Sequence, residues 1–367
     1  MGETIAIVPL IKKILYFYPK ESIIVTTTTA TASQYILKIF GNTINHVYLP
    51  YDLYGPTKRF LNKTNPKLVI LMEKEIWPNL IWQIKKKKIP LIIINAHLSE
   101  HSFIAYKKLN KFIKNILQKF TLIITDNREN AKKFIELGVQ KTNIQIIGNL
   151  KFDVNIDKNI TLQSNILQKR WKLERPIWIA ASTHKGEEKI ILDTHKQLLQ
   201  IFPNLLLILV PRHPERFIKV INLVKKLNFI YILRSTKDNP EQNTQVIVAD
   251  SIGELMLLYS LANIAFVGGS LIKQGGHNPL EAAINSIPII MGPYIFNFYD
   301  ICNKLIKNQG LFIIDNQRAL IMTITYLLKN KTISLQYGKN AATTVYNNRG
   351  VTEKIFKILQ PFIISNK

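Results

Sequence analysis

Short apolar runs alternate with longer amphipathic stretches along most of this chain. In the first half, runs typical of short buried strands fall at residues 23–25, 47–52, 68–72, 90–95, 122–125 and 144–147. Stretches with helical spacing separate these runs, and one such stretch, from Leu10 to Tyr18, precedes the first of them. Strands and helices that alternate in this way predict a parallel sheet with right-handed crossover connections.

The second half repeats this alternation after a polar interval that lacks a strand pattern. Its apolar runs fall at residues 178–181, 205–210, 231–233, 246–249, 264–267 and 289–291. A chain of 367 residues is long enough for two separate hydrophobic cores. We therefore predict an N-terminal α/β domain over residues 1–155, a linker region over 156–175 and a C-terminal α/β domain over 176–367.

The bulk composition is that of a globular protein from a reducing compartment. Hydrophobic residues make up 47% of the chain, and no apolar run reaches the roughly 18 residues expected of a membrane-spanning helix. The sequence has a single cysteine, Cys302, so it cannot form an internal disulfide.

The net charge is strongly positive, since 49 basic and 24 acidic residues give +25. Nucleic acid, an anionic membrane surface or an acidic substrate could each be the partner of such a chain. The chain is also rich in Lys, Ile and Asn, a composition that a genome of biased base content produces without selection for binding. The sequence contains neither an RNP-type aromatic motif nor a zinc-ligand cluster, so we predict no nucleic-acid partner.

Candidate chemistry is concentrated in one stretch of the second half, FVGGSLIKQGGHNPLEAAINSIPIIMGPYIFNF at residues 266–298. A buried strand is followed by two glycine pairs and then by Asn278 and Pro279, which predict the start of a helix over 280–287. A glycine loop before a helix N-terminus can bind a phosphate, and Glu281 is placed to reach a ribose hydroxyl. The same spacing fits an ordinary capping box between Asn278 and Glu281, so spacing alone leaves both functions open.

The residues themselves are more specific than their spacing, because several separate motifs occur in the order found in one enzyme family. These motifs are TTTTATAS at 26–33, LMEKEIWPN at 71–79, GNLKFD at 148–153 and GGHNPLEAA at 275–283. The chain resembles the 3-deoxy-D-manno-octulosonic acid (Kdo) transferases of lipopolysaccharide synthesis, and the resemblance covers nearly its whole length. It implies the GT-B fold, in which two Rossmann-like α/β domains face each other across a cleft.

In that family, Kdo passes from CMP-Kdo to a hydroxyl group of the lipid A precursor, and CMP is released. The resemblance implies the same substrates here, an acceptor-side first domain, a donor-side second domain, and neither a metal ion nor another cofactor. By position, Glu3 corresponds to the catalytic base, while Glu73 and Lys151 correspond to groups that stabilise the transition state. The residues expected to hold CMP are Pro211, Arg212, Ile252, Gly253, Glu254, Asn278, Pro279, Leu280 and Glu281.

Several of these residues also have a purely structural explanation. A glutamate at the start of a helix often compensates the helix dipole, and Lys151 is one of many lysines. His184, His213 and His277 fall near predicted strand ends, without carboxylates or cysteines at ligand spacing. We therefore expect these histidines to form hydrogen bonds rather than a metal site.

The chain departs from the family pattern at three places. Lys74 stands where threonine is usual, and His97 stands where arginine is expected. Members of the family usually carry a membrane-anchoring helix and a first strand ahead of the glutamate that Glu3 matches. We therefore expect either that the reading frame extends upstream or that this form is compromised in transfer.

The expected location is the cytoplasmic face of the bacterial inner membrane. The stretch from Pro9 to Tyr18 carries apolar residues beside Lys12 and Lys13. It is either a core helix or a surface for anionic lipid whose binding weakens in salt. Other functions also stay open: a different GT-B nucleotide-sugar enzyme such as an epimerase, a basic nucleic-acid-binding protein, or a decayed and inactive copy.

Overall fold

A computed structural model describes residues 2–155, 158–171 and 175–364 of the chain. The contacts within it divide the chain into two compact units. The first unit comprises Met1–Asp153 together with Asn348–Lys367, and the second unit comprises Val154–Asn347. The first unit is therefore built from two separate parts of the sequence.

Helices and strands alternate through both units. The helices are α1 (Gly2–Phe17), α2 (Ala30–Phe40), α3 (Tyr54–Thr64), α4 (Pro78–Lys86), α5 (Glu100–Lys108), α6 (Asn110–Leu117), α7 (Arg128–Glu136), α8 (Lys158–Trp171), α9 (Glu187–Ile201), α10 (Phe217–Lys226), α11 (Leu255–Tyr259), α12 (Leu280–Ile284), α13 (Tyr299–Lys307), α14 (Gln317–Lys329), α15 (Lys331–Asn347) and α16 (Val351–Ile364). The strands are β1 (Ile24–Thr27), β2 (Asn45–Tyr48), β3 (Val69–Met72), β4 (Leu91–Ala96), β5 (Leu122–Thr125), β6 (Ile144–Ile146), β7 (Ile177–Thr183), β8 (Leu206–Pro211), β9 (Tyr231–Leu233), β10 (Val246–Val248), β11 (Ile264–Val267), β12 (Ile289–Met291) and β13 (Leu311–Ile313). Every apolar run named above overlaps one of these strands.

The first unit contains two parallel sheets instead of the one continuous sheet that its strand pattern predicts. Strands β1 and β2 form one sheet, and β3, β4, β5 and β6, in that order, form the other. Residues of β1 and β3 line a cavity of 680 Å³, together with Ile7, Leu10 and Ile14 of α1. Among the described residues, no strand pairs with both β1 and β3, and the two sheets therefore stay separate.

Strand β4 carries the core of the four-stranded sheet, and all six of its residues are buried. Its side chains alternate between two cores, as the period of two residues in a strand requires. Leu91 and Ile93 belong to the core that α4 and α6 complete. Ile92 and Ile94 belong to the core that α1 and α16 complete.

Helix α1 is a core helix. Its residues Leu10 and Ile11 are only 1% and 6% exposed, so a lipid surface cannot be their partner. Tyr16 and Phe17, at the end of the helix, are exposed. Within the described ranges, no helix combines the length and apolar character needed to cross a membrane.

Helix α16 belongs to the first unit, although we expected residues 176–367 to form one domain. Its buried Phe356 shares a core with α1. The Asp153 carboxylate accepts hydrogen bonds from the backbone N–H groups of Gly350 at 2.7 Å and Thr352 at 2.5 Å, which fixes the start of the helix. Burial of an apolar helix face, rather than order along the chain, decides where this segment belongs.

The second unit is built on a seven-stranded parallel sheet in the order β13-β12-β11-β7-β8-β10-β9. All residues of β7 and β8 are buried, as expected for central strands of a parallel sheet covered on both faces. The edge strand β13 was not predicted, because it is short and only its first residue is buried. Strands β11, β7 and β8 are neighbours, so the loops that follow them meet at one edge of the sheet.

The region expected to be a linker, 156–175, is helical over most of its length. Helix α8 packs within the second unit through the buried Trp171, and Ser164 Oγ accepts a hydrogen bond of 2.8 Å from Ser260. The apolar stripe of this helix is narrow and most of its residues are polar, so the sequence pattern did not predict a helix here. Residues 156–157 and 172–174 of the expected linker lie outside the described residues.

Replacing Phe356 with alanine tests whether α16 stabilises the first unit. Phe356 is 2% exposed, and its ring centroid lies 5.1 Å from that of Phe17 and 6.1 Å from that of Tyr18. We expect the cavity left behind to lower the free energy of unfolding by about 3–5 kcal/mol. Hydrogen exchange should accelerate in β4 and stay unchanged in β8. The exposed Lys354→Ala is the matched control, and equal acceleration in both strands would contradict this division of the chain.

Candidate functional site

A buried ion pair lies at the carboxyl edge of the four-stranded sheet. Glu73 directly follows β3, with a φ of 56°, and Lys151 lies in the short turn that follows β6. Lys151 Nζ is 2.8 Å from Glu73 Oε1, and the two side chains are 13% and 7% exposed. The structure thus joins two of the three residues expected to act in catalysis.

The ammonium group of Lys151 keeps Glu73 ionised. Burial by itself would raise the pKa of Glu73, but the charge and hydrogen bond of Lys151 outweigh burial and lower this pKa below its usual value. The first unit therefore holds a fixed negative charge in a site with little access to water.

Asn95 connects the two halves of this ion pair, and the sequence alone did not reveal its importance. Asn95 is fully buried at the end of β4, with a φ of 53°, where the register between β4 and β5 shifts. Its Nδ2 donates to Glu73 Oε1 at 3.3 Å, and its Oδ1 accepts from the Leu150 N–H at 3.0 Å. The sequence did contain a signal for this role, because Asn95 is a polar residue near the end of an otherwise apolar strand.

Glu3 lies in the first turn of α1 and shares a hydrogen bond with Glu73. Burial, followed by the charge of Glu73 and this hydrogen bond, raises the pKa of Glu3 to about 7. Two carboxyl groups can share a hydrogen bond only if one carries the proton, and the ion pair makes Glu3 the group that carries it. The structure therefore brings all three expected catalytic residues together.

His97 lies beside the same group of charges, at the position where arginine was expected. Its Nδ1 is 3.4 Å from the carbonyl oxygen of Asn95. Burial lowers the pKa of His97, while the negative charge of Glu73 opposes this shift. The imidazole thus replaces a permanent positive charge with a group whose charge depends on pH.

The chemistry that this cluster can perform is proton transfer near neutral pH. A carboxyl group with a pKa close to the working pH is an efficient general base. Such a base can accept the proton of an attacking hydroxyl group, while the Lys151 ammonium can stabilise negative charge that develops nearby. We call Glu3, Glu73, Asn95 and Lys151 the carboxylate cluster.

A second cluster lies at the carboxyl edge of the sheet in the second unit. Arg212 follows β8 and is exposed, and its backbone N–H donates to the Thr183 carbonyl at 3.0 Å. His184 follows β7, and its Nε2 is 2.7 Å from Nε2 of His277, which follows the glycine loop. The ring of His213 meets that of His184 edge-on, with centroids 5.2 Å apart. We call Arg212, His184, His213 and His277 the histidine cluster.

The first part of the glycine loop binds a carboxylate of the protein itself. Backbone N–H groups of Gly269, Ser270 and Leu271 donate to the carboxylate of Glu187 at 2.8, 3.1 and 3.0 Å. The His184 N–H donates to the same carboxylate at 3.0 Å. Glu187 is fully buried at the start of α9, so an internal carboxylate already occupies these four amides.

The helix expected over 280–287 is shorter, because α12 ends at Ile284. Asn278 Oδ1 accepts the N–H of Leu280 at 3.1 Å, and Asn278 also forms a hydrogen bond with Glu281. Pro279 is the N-cap residue of α12 and no side chain caps this helix, so the capping box suggested by the spacing does not form. Burial raises the pKa of Glu281, whereas the charge of Arg212 lowers it. That interaction places Glu281 close to the histidine cluster.

The remaining residues expected to hold CMP are placed differently. Pro211 is buried as the last residue of β8. Ile252 and Gly253 lie on an exposed turn after β10, where Gly253 has a φ of 90°. The carboxylate of Glu254 pairs with Arg234 at 2.7 Å. Glu254 therefore already has a cationic partner within the protein.

Replacing Lys151 with methionine should leave Glu73 as a buried and unpaired charge. We expect a loss of about 3–5 kcal/mol in the free energy of unfolding at pH 8. The loss should be smaller at pH 5, because the unpaired Glu73 then has a raised pKa and takes up a proton. The double variant Lys151→Met/Glu73→Gln should recover most of the stability. Chemical denaturation at both pH values measures this, and a pH-independent loss that the double variant does not relieve would contradict the ion-pair explanation.

Comparisons with known proteins show the family of this chain. Residues 1–154 match the family model described as 3-Deoxy-D-manno-octulosonic-acid transferase (kdotransferase). The 3-deoxy-D-manno-octulosonic acid transferase of Haemophilus influenzae is 43% identical over 100% of this chain and 86% of its own length. The enzyme of the same name from Rickettsia felis is 34% identical over 99% of this chain and 78% of its own.

One solved structure is similar to about half of this chain, and another is similar to the whole chain. The C-terminal CMP-Kdo binding domain of WaaA from Acinetobacter baumannii covers 52% of this chain and 99% of that chain, with a TM-score of 0.50 and 35% identity. The complex of S. aureus MnaA with UDP covers 100% of this chain and 96% of that chain, with a TM-score of 0.65 and 14% identity, which shows the fold alone. The predicted GT-B fold is thereby confirmed, and the identity to full-length relatives establishes that the chain belongs to the family of 3-deoxy-D-manno-octulosonic acid transferases, which are glycosyltransferases.

Proposed function

We propose that this protein transfers Kdo from CMP-Kdo to a hydroxyl group of the lipid A precursor and releases CMP. The observation that carries this proposal is the carboxylate cluster, in which a carboxyl group with a pKa of about 7 lies beside a fixed ion pair. Family membership supplies the substrates, because the relatives bear the name of this transferase. The Acinetobacter relative is named for CMP-Kdo binding, which supports the donor.

Glu3 acts as the general base in this reaction. The bond between Kdo and the phosphate oxygen of CMP breaks, a bond between Kdo and the acceptor oxygen forms, and the hydroxyl proton passes to Glu3. Glu73 raises the proton affinity of Glu3, and Lys151 fixes the charge of Glu73. Transfer should therefore accelerate as the pH rises through about 7, where Glu3 loses its proton.

The second unit binds the donor, and Arg212 is its main contact to the CMP phosphate. A guanidinium group offers a permanent charge and paired donors, and the Arg212 side chain is exposed and able to reach a ligand. Glu281 lies close to that charge and is placed to accept a hydrogen bond from a ribose hydroxyl. Asn278 and Pro279 position Glu281 at the start of α12.

The protein acts at the cytoplasmic face of the bacterial inner membrane, where it contacts an anionic membrane surface. The first unit exposes Tyr51, Leu53 and Tyr54, and the ammonium group of Lys58 lies 5.8 Å from the Tyr54 ring centroid. Exposed aromatic side chains beside basic ones are typical of proteins that bind the membrane interface. The net charge of +25 also favours an anionic surface.

The other functions considered at the outset are less well supported. Nucleotide-sugar epimerases share the fold at 12 to 15% identity, which gives no support for their chemistry. The paired Glu73 and Lys151 and the buried Asn95 favour an active enzyme over a decayed copy.

Incubation with CMP-Kdo and the tetraacylated lipid A precursor tests this function, with CMP release and product mass as the two readouts. We expect Glu3→Gln to abolish transfer and to leave CMP binding unchanged, because glutamine cannot accept the proton. Arg212→Ala should weaken CMP binding by about 1–3 kcal/mol in calorimetry, since a charged hydrogen-bond partner is lost.

The matched controls are Glu21→Gln and Lys189→Ala, which change exposed charges outside both clusters. Transfer by Glu3→Gln at the wild-type rate would remove Glu3 as the base. Unchanged CMP affinity in Arg212→Ala would remove the donor site. Absence of both transfer and CMP binding in the wild-type protein would contradict the proposed function itself.

A further inference from the structure

Three amides of the glycine loop of the second unit are bound by a carboxylate of the protein. The Glu187 carboxylate accepts four backbone N–H groups, three of them from the loop that follows β11. A donor phosphate would have to displace a fully buried carboxylate to reach those amides. These three amides are therefore not free for a phosphate, and we look to side chains at this edge of the sheet for positive charge.

The most unusual side-chain contact at this edge joins two histidines. Nε2 of His184 lies 2.7 Å from Nε2 of His277, the ring planes differ by only 3°, and the ring centroids are 5.0 Å apart. The nitrogen atoms are far closer than the ring centres, so the rings meet edge to edge through one N–H···N hydrogen bond. A single proton lies between the two nitrogens, because two facing N–H groups would repel each other.

The backbone holds this pair in place. The N–H of Gly276 donates to the Gly269 carbonyl at 2.8 Å, and the N–H of His277 donates to the Gly268 carbonyl at 3.1 Å. A Cβ atom at Gly269 would lie 3.0 Å from Cδ2 of His277 and 3.6 Å from Cδ2 of His184, and the φ of +69° favours glycine, so a side chain here would press on the His277 ring. The imidazole pair is thus a built feature of the loop.

Both basic and acidic groups surround the pair. His213 and Arg212 lie close to both rings, and Arg216 lies close to His184. Glu188 neutralises Arg216 at 3.0 Å, and Glu187 is engaged by backbone amides. The titratable and charged groups that face the pair are therefore Arg212, His213 and Arg216 after β8, Glu187 and Glu188 of α9, and Glu281 of α12.

We propose that the His184–His277 pair takes up one proton when the phosphate of CMP binds beside Arg212, and so becomes a singly charged imidazole–imidazolium pair. This proposal rests on the proposed binding of CMP-Kdo by the second unit. The bridging hydrogen bond is retained, and the added proton goes to an outer ring nitrogen. The pair then supplies the positive charge that the occupied glycine loop cannot supply.

The direction of the proton transfer follows from electrostatics. Without ligand, burial and the neighbouring cations lower the pKa of His184, and they lower the pKa of His277 to about 3. The pair is therefore neutral at pH 7. A bound phosphate dianion within reach favours the charged form, raises the pKa and draws a proton from solvent. Phosphate affinity must then fall as the pH rises, by up to about tenfold per pH unit for one linked proton.

Calorimetry of CMP binding at pH 7.0 in buffers of different ionisation enthalpy measures the number of protons taken up. We expect the wild-type protein to take up between about 0.3 and 1 proton more per CMP than His277→Gln or His184→Gln. The same CMP is titrated into the wild type and both variants, so protons exchanged by the nucleotide itself cancel in the difference. His46→Gln is the matched control, because His46 lies in β2 and bonds to Thr27.

A second measurement covers the case in which a variant fails to fold. The wild-type affinity for CMP should decrease between pH 7 and pH 8, whereas cytidine, which lacks the phosphate, should show no such change. CMP binding with equal proton exchange in wild type and folded variants, or pH-independent affinity in the wild type, would overturn the proposal. Failure of the wild type to bind CMP at all would instead remove the donor-binding function on which it rests.

Discussion

The buried ion pair between Glu73 and Lys151 is the constraint on which the first unit depends. Removing two charges from water is unfavourable, and their mutual attraction offsets this only if the geometry is good and other hydrogen bonds complete the site. The distance of 2.8 Å and the amide of Asn95 meet that requirement. The pair thereby fixes the ends of three chain segments and sets the protonation of Glu3.

The second unit also contains a buried glutamate, but its carboxylate is bound by backbone N–H groups instead of a lysine. Glu187 gathers four backbone N–H groups and so organises the glycine loop without a ligand. This arrangement preorganises the loop, but it also removes the amides from phosphate recognition. Each unit therefore uses one buried glutamate to hold the chain in shape, and in each unit exposed or half-buried neighbours remain to meet a substrate.

The sequence was sufficient for every described strand except β13, and for Glu3, Glu73 and Lys151 of the carboxylate cluster. The strands can be predicted from the sequence because parallel strands buried on both faces are continuous apolar runs. The sequence did not predict that α16 packs in the first unit, since its partner α1 lies at the other end of the chain. Asn95 and Glu187 were missed because their importance comes from hydrogen bonds to backbone groups distant in sequence. Spacing suggested a phosphate at the glycine loop, but it could not show that a carboxylate already occupies the loop.

The central claim is that burial and the charge of Glu73, which Lys151 keeps ionised, raise the pKa of Glu3 to about 7, so that Glu3 can act as a base. The most direct test is a ¹³C NMR titration of the glutamate carboxyl groups, with the Glu3 signal assigned by its absence in Glu3→Gln. The claim predicts a midpoint at about pH 7 in the wild-type protein. It also predicts a lower midpoint in Glu73→Gln, where the neighbouring charge is gone. A wild-type midpoint near 4.5, the ordinary value for a glutamate, would contradict it.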